Sequence, residues 1–431
     1  MFGKVLPVFI IAASIFAAHV SAEEPEVKAE SAILAISDGE QILFDKNPRQ
    51  RAYPLGLTKL MTALVAYRQC GTDESVTVPE DLADYVSPYD PLMGLRPGES
   101  LPAEALISAI VVGNANDAAI VLALRCGGTV ENFVGMMNGS AEELGMSDTR
   151  FANPTGIHHE EQYTTASDLL LLYKHIAGIP MMNKIIKKTN VTIAATNKSP
   201  QRTLWTANSL TSKYYSTNYY YPHAVGGKAA ASAVDLPTPY GNSVISGAVK
   251  NNAGLIGIAL NSRSEGGVNY AFEDVKKLFE YGFQNFTQKT LIRQDAIARE
   301  VPVKNAGGTD RVLLLAGNTL KCFLLDGDSA DNVHSETLLP DAVFAPLRKG
   351  EPVGEVRYTY RGKPVGTVTL TAGDTLEAHP LKAALGGIIW FLSLKYVKLP
   401  LLVLFCAAAV YAAIVFRVVL KAKKKKRRKR K

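Results

Sequence analysis

Residues that build metal and redox centres are scarce in this chain. There are 4 cysteines and 7 histidines in 431 residues, with no Cys-x-x-Cys pair and no Cys/His cluster at metal-ligand spacing. His158-His159-Glu160-Glu161 fails the helical zinc pattern His-Glu-x-x-His, because Tyr163 stands where the second histidine is needed. That stretch reads as a polar surface loop, and no metal or cofactor is expected. So few cysteines also exclude a disulfide-dense scaffold. Cys406 lies in an apolar run and Cys322 in a strand-rich region. Cys70 and Cys126 remain, as one bridge or as two buried free thiols.

Charge excess is missing from the body of the chain as well. The net charge is +7 and the pI about 9.0, but ten of the eleven residues in KAKKKKRRKRK, 421–431, are basic. Without those ten charges the net is −3, so no nucleic-acid partner is expected. Internal repeats and low-complexity sequence are absent outside that tail. With 47% hydrophobic and 20% charged residues, the chain can bury a large core in more than one domain.

Long apolar runs occur only near the ends. Lys4 precedes the run Val5 to Ala18, and Val20-Ser21-Ala22 supplies a small-residue cleavage site, so residues 1–22 read as a secretory signal peptide. Leu401 to Leu420 carries Arg417 as its only charge and has the length of a membrane-spanning helix. The polybasic tail behind it is expected to be cytoplasmic, acting as stop-transfer signal and anionic-lipid anchor, which places the body outside. Residues 377–400, with Trp390, Lys395, Tyr396 and Lys398, suit an interfacial segment, and Pro400 is expected to separate it from the span.

Between these ends the periodicity reads as α+β. SAILAISDGEQILFDK, 31–46, alternates as two strands about an Asp38-Gly39 turn. An apolar helix follows from about residue 57, then short strands and turns from Glu74 to Ser100. Two helices, AEALISAIVV and DAAIVLALRC, meet at the polar knuckle Asn114-Ala115-Asn116. Amphipathic helices cover 129–144 and 164–177, with Thr164 or Thr165 as cap of the second. Strands GGKAAASAVD, NSVISGAVKN and GLIGIALNS precede a closing helix, YAFEDVKKLFEYGF. An antiparallel sheet with a helical block results. From residue 285 to 376 short alternating runs indicate a small all-β domain.

Three separated stretches carry the chemistry: PLGLTK (54–59), GNAND (113–117) and GGKAAAS (226–232), with NPTG (153–156) and YTTASDLL (163–170) between the last two. In order and spacing they resemble the penicillin-recognising serine D-alanyl-D-alanine carboxypeptidases of the low-molecular-mass class, peptidase family S11. The resemblance covers about residues 28 to 375. It implies a β-lactamase-like transpeptidase fold over 28–284, a C-terminal β domain, and peptidoglycan stem peptide or an envelope protein as partner.

Members of that family carry Ser-x-x-Lys, Ser-x-Asn and Lys-Thr-Gly at these places. A serine at a helix start attacks the peptide carbonyl, a lysine one turn on takes its proton, and a second serine relays it. The lysine and threonine of the third motif hold the terminal carboxylate of the stem peptide. Carried over residue by residue, Gly56 stands at the nucleophile's position with Lys59 retained. Asn114 stands at the relay position with Asn116 retained. Lys228 is retained, while Ala229 and Ala230 replace threonine and glycine. All three motifs are degenerate.

A glycine has no side chain to acylate, so the chain is expected to be a pseudoenzyme that binds a cell-wall peptide or a protein partner. The rivals are an active serine carboxypeptidase trimming stem peptides, and a membrane-tethered scaffold. Thr58 is two residues on and faces roughly 200° away on a helix, and Ser232 lies about 13 Å past Lys228 along a strand; neither is expected to substitute for the missing serine. Lys59, in a first turn and inside an apolar segment, needs a partner, for which Asn114 or Asn116 is expected. Asn116 reads equally as a helix cap, and Lys228 equally as an exposed strand lysine. The tyrosines of SKYYSTNYYYPHAV, 212–225, suit loop packing or an aromatic wall for a glycan or peptide.

Overall fold

The computed structural model describes residues 23–230, 240–382, 384 and 395–428. The signal peptide, Ser232, Trp390 and the last three residues of the tail lie outside the described residues. Contacts gather the chain into two compact units: one runs to Thr290 and takes in Lys321–His334 and Thr359–Gly366, and the other holds Leu291–Leu320, Ser335–Tyr358 and the chain from Thr367.

The first unit is built on a five-stranded sheet of β1 (Ser31–Ile36), β2 (Ile42–Lys46), β7 (Ala224–Ala229), β8 (Asn242–Lys250) and β9 (Ala253–Ser262), ordered β2-β1-β9-β8-β7 with every pairing antiparallel. Both faces are covered, and the two-residue period of a strand sorts the side chains between them. Ile33 and Ala35 of β1 and Ile256, Ile258 and Leu260 of β9 join the core under the helical layer. Ala32, Leu34 and Ile36, with Leu255 and Ala259, join the core under α7 (Tyr270–Asn285).

The helical layer comprises α1 (Thr58–Gln69), α2 (Ala103–Val111), α3 (Asn116–Gly127), α4 (Val130–Glu143), α5 (Ala166–Gly178) and the short α6 (Pro180–Ile186). Thr165 caps α5 by accepting from Asp168 N. Helix α1 is buried on all sides from Thr58 to Ala66, the condition of an interior helix. Each fully buried leucine on it, such as Leu60 or Leu64, contributes roughly 1.5–3 kcal/mol. Cys70 and Cys126 form a disulfide that ties the end of α1 to the end of α3, deciding between the two readings of that pair. Two-stranded ribbons β3 (Ser75–Thr77) with β4 (Ser100–Pro102), β5 (Asn190–Ile193) with β6 (Arg202–Trp205), and β10 (Ser264–Glu265) with β11 (Val268–Asn269) complete the unit. The sequence did not announce α6 or the β5–β6 ribbon.

Beyond α7 come β12 (Phe286–Ile292), β13 (Ile297–Lys304), β14 (Arg311–Ala316), β15 (Leu320–Leu325), β16 (Val333–Leu338), β17 (Val343–Phe344), β18 (Pro352–Tyr360) and β19 (Lys363–Ala372). Six of them form one sheet, β16-β18-β19-β14-β13-β17, closed over Val301, Val303, Val312, Leu314 and Leu370. The final helix, α8 (Lys395–Arg428), contains an apolar stretch, Leu402–Lys421, of mean hydropathy 2.5, long enough to cross a membrane. Pro400 lies inside α8 and does not divide it, contrary to the sequence expectation. A proline forfeits one backbone hydrogen bond, a loss that apolar spanning helices tolerate.

Candidate active site

The sequence-predicted residues converge where α1, the α2–α3 knuckle and the end of β7 meet. Gly56 sits in a single 3-10 turn, Leu55–Leu57, that runs directly into α1. A Cβ placed on Gly56 would lie 3.5 Å from Ala230 Cα, 3.6 Å from Ala230 Cβ and 3.6 Å from Asn114 Oδ1, all ordinary van der Waals separations. The backbone therefore does not demand glycine at 56.

Lys59 is 3% exposed, and its Nζ donates to Thr155 O at 2.5 Å. Its partner is thus a backbone carbonyl, where the sequence had pointed to Asn114 or Asn116. The cause is the NPTG loop, which folds back on α1. Asn153 Oδ1 accepts from Gly156 N at 2.7 Å and Thr155 Oγ1 at 3.0 Å, and Pro154 O accepts from Thr62 Oγ1 at 2.6 Å. Gly156 has φ +79°, and a Cβ there would meet Leu55 O at 1.9 Å. The loop can press on the turn carrying Gly56 only because residue 156 is glycine. Burial lowers the Lys59 pKa to about 7, with the negative charge of Asp90 opposing the shift.

Lys228 is 2% exposed, which removes the reading of an ordinary surface lysine. Its Nζ donates to Ile110 O and Val111 O, both at 3.0 Å, and to Asn114 Oδ1 at 2.6 Å. Ile110 and Val111 are the last two residues of α2, whose terminal carbonyls have no intrahelical partner. Lys228 supplies the donor, in the favourable orientation for a cation at a helix C-terminus. Burial, then the positive charge of Lys59, lower its pKa well below the usual lysine value.

Asn114 adopts φ +59°, a left-handed conformation that asparagine accepts more readily than most residues. Asn116 is the first residue of α3; Ala115 occupies the cap position and no side chain caps the helix, so the capping role is not seen. Its Oδ1 is buried and has no hydrogen-bond partner among the described residues. Strand alternation sends Lys228 and Ala230 to the helical side of the sheet and Ala229, 2% exposed, into the core under α7. Thr58 is fully buried.

Asp117 escaped the sequence reading. Its carboxylate accepts from Met93 N, Gly94 N and Leu95 N at 2.8–3.0 Å, fixing the loop that also carries Asp90. The one available signal was an acidic residue in the first turn of a helix, which usually answers to that helix's own dipole. Glu99, with no side-chain exposure, pairs with Arg202, which also donates to Gly94 O at 2.9 Å. The tyrosine cluster divides: Tyr219 and Tyr221 are core residues, whereas Tyr214 is exposed and stacks on Trp205 with centroids 4.2 Å apart. His158 stacks on Tyr240, and among the described residues no group of His, Cys, Asp or Glu is arranged to hold a metal.

Comparison with known proteins places this geometry. A family model described as D-alanyl-D-alanine carboxypeptidase matches residues 18–263, and one described as penicillin-binding protein 5, C-terminal domain, matches residues 286–378. The chain is similar to the D-alanyl-D-alanine carboxypeptidase DacC of Escherichia coli K12, 28% identical over 404 residues, spanning 90% of this chain and 93% of that protein. It is similar to DacF of Bacillus subtilis, 25% identical over 355 residues, with 81% and 86% covered. Among solved structures, penicillin binding protein 5 from Haemophilus influenzae superposes with a TM-score of 0.68 at 25% identity, covering 83% of this chain and 100% of that one. A peptidoglycan synthesis regulatory factor (PBP3) from Streptococcus pneumoniae, at TM-score 0.66 and 21% identity over 82% and 100% of the chains, shares the fold.

Proposed function

Because the chain belongs to the D-alanyl-D-alanine carboxypeptidase family, peptidase S11, we propose that it is a membrane-anchored protein of peptidoglycan metabolism that binds stem peptides without hydrolysing them. The observation that carries this reading is Gly56. Acyl transfer in this family needs a hydroxyl on that turn, poised for the lysine one helical turn later to deprotonate. Lys59, held near neutrality by burial, is fit to serve as that base. At the nucleophile's position it has nothing to deprotonate: residue 56 offers only hydrogen, and the neighbouring Thr58, among the described residues, is buried in the core. Loss of a nucleophile of this kind costs on the order of a millionfold in turnover, roughly 8 kcal/mol of transition-state stabilisation.

Asn114, at the relay position, supports the same reading, because its amide is committed to Lys228. The α8 apolar stretch anchors the protein, and the basic tail behind it orients the body to the extracytoplasmic side. The test is a pair of measurements on the full-length protein with diacetyl-L-Lys-D-Ala-D-Ala. The peptide raises the Tm at millimolar concentration while D-alanine release stays at the level of a peptide-only control. Saturable release above that control refutes the non-hydrolytic half of the proposal, and absence of any Tm shift refutes the binding half in favour of a scaffold.

A further inference from the structure

We propose that the pocket lined by α2, β4 and β5 is a binding site for a short peptide with both ends free, carrying one ammonium and one carboxylate. None of its lining residues belongs to the cleft around Gly56, so the proposal stands apart from the reading of that cleft.

The pocket has a volume of about 300 Å³ and is lined by Glu104, Ala105 and Ser108 of α2, by Ser100–Pro102, by Lys188 and by the chain from Val191 to Thr196. That is the size of a site for a small molecule. Six lining residues have polar side chains, and three of these are already engaged. Ser100 Oγ bonds with Thr77 Oγ1 at 3.0 Å, Thr192 Oγ1 with Thr203 Oγ1 at 3.2 Å, and Thr196 Oγ1 donates to Glu99 Oε1 at 2.8 Å. The side chains of Glu104, Ser108 and Lys188 form no hydrogen bond or ion pair among the described residues. Ser108 is 2% exposed, and a hydroxyl so buried calls for a partner.

The open groups are thus one carboxylate, one amine and one hydroxyl. Glu104 is the second residue of α2 and Lys188 lies two residues beyond α6, so ordered backbone holds both charges at the pocket without joining them. Glu104 disfavours a phosphate ester here, and Lys188 disfavours a metal ion. A ligand with a single charge would leave the other group open. A zwitterion meets both, its ammonium on Glu104 and its carboxylate on Lys188, through charge-assisted hydrogen bonds. Between those ends Leu101, Val191, Ile193 and the alanines at 105, 194 and 195 suit small apolar side chains. β4 pairs only with β3, and β5 only with β6. A strand with an unpaired edge can recognise the main chain of an extended peptide, and alanyl-alanine is the simplest ligand of that description.

The experiment titrates L-Ala-L-Ala and D-Ala-D-Ala into the full-length protein in detergent, by calorimetry at moderate salt. At least one is expected to bind with a Kd of about 1 mM or lower. Blocking its amine as the N-acetyl derivative, or its carboxylate as the amide, is expected to weaken binding about tenfold or more, the value of a charge-assisted hydrogen bond. Glu104→Gln and Lys188→Met, at unchanged Tm, are expected to lose the same factor. No saturable binding of either dipeptide up to about 10 mM, or end-blocked dipeptides binding as tightly as free ones, would overturn the proposal. So would undiminished binding by a folded Glu104→Gln variant, which would place the ligand outside this pocket. Diacetyl-L-Lys-D-Ala-D-Ala has no free amine and tests the cleft alone, so the two readings fail separately.

Discussion

At the scale of single residues, two glycines on facing loops have opposite reasons for being there. Gly156 is required by its backbone and by the 1.9 Å approach a Cβ would make to Leu55 O. Gly156→Ala is expected to destabilise the protein by about 3 kcal/mol or more, measured by urea unfolding. Gly56 is not required. Gly56→Ser places its Cβ at ordinary distances and is expected to move the Tm by no more than about 4 °C. Lys59 makes a pH-dependent prediction. Its folded pKa, about 7, lies below the ordinary 10.5, so between those values the unfolded chain holds a proton that the folded chain does not. Stability therefore rises from pH 7 toward pH 10.5 by about 1.4 kcal/mol per unit for this lysine, and Lys228 acts in the same direction. Unfolding midpoints at pH 7 and pH 9.5 should show a smaller rise in Lys59→Met than in the wild type. Equal rises would mean that Lys59 is charged in the folded protein.

Among elements, the helices joined by Cys70–Cys126 carry Lys59 and Asn116 of the site. The bridge closes a loop with a sequence separation of 56, for which loop-closure entropy gives about 4 kcal/mol. The Cys70→Ala, Cys126→Ala double variant should lose a comparable amount of stability in denaturant titration; a loss below about 1 kcal/mol would show that the bridge does not constrain the unfolded chain. Helices α2–α5 and α7 were legible in the sequence from their apolar period, and strands β1, β8 and β9, buried on both faces, as short apolar runs bounded by turn residues. The β5–β6 ribbon was not, since its four-residue strands are too short to establish alternation. The site was legible as a set of positions but not as a set of bonds. The resemblance of the three motifs to those of the carboxypeptidase family brought Lys59, Asn114 and Lys228 together. The sequence reading paired Lys59 with an asparagine, because Thr155 is 96 residues away and offers only its backbone carbonyl. A main-chain acceptor is the same in every residue type and leaves no trace in a motif. The α2 terminus is similar: nothing in AEALISAIVV announces that a lysine 118 residues further on will supply its missing donor.

For the whole molecule, the family's fold is kept, while in the proposed reading the group that performs the family's chemistry is missing. The helical layer, the sheet, a β-rich C-terminal region and an apolar α8 are present, and the buried lysine at the start of α1 remains. A covalent probe reads this directly, because penicillins acylate the serine of active family members and report a competent nucleophile whatever the natural substrate. Intact-mass analysis of the full-length protein after incubation with benzylpenicillin is therefore the most direct measurement. The account predicts the unmodified mass throughout. A stoichiometric penicilloyl adduct, mapped by peptide sequencing to any residue of the cleft, would contradict it.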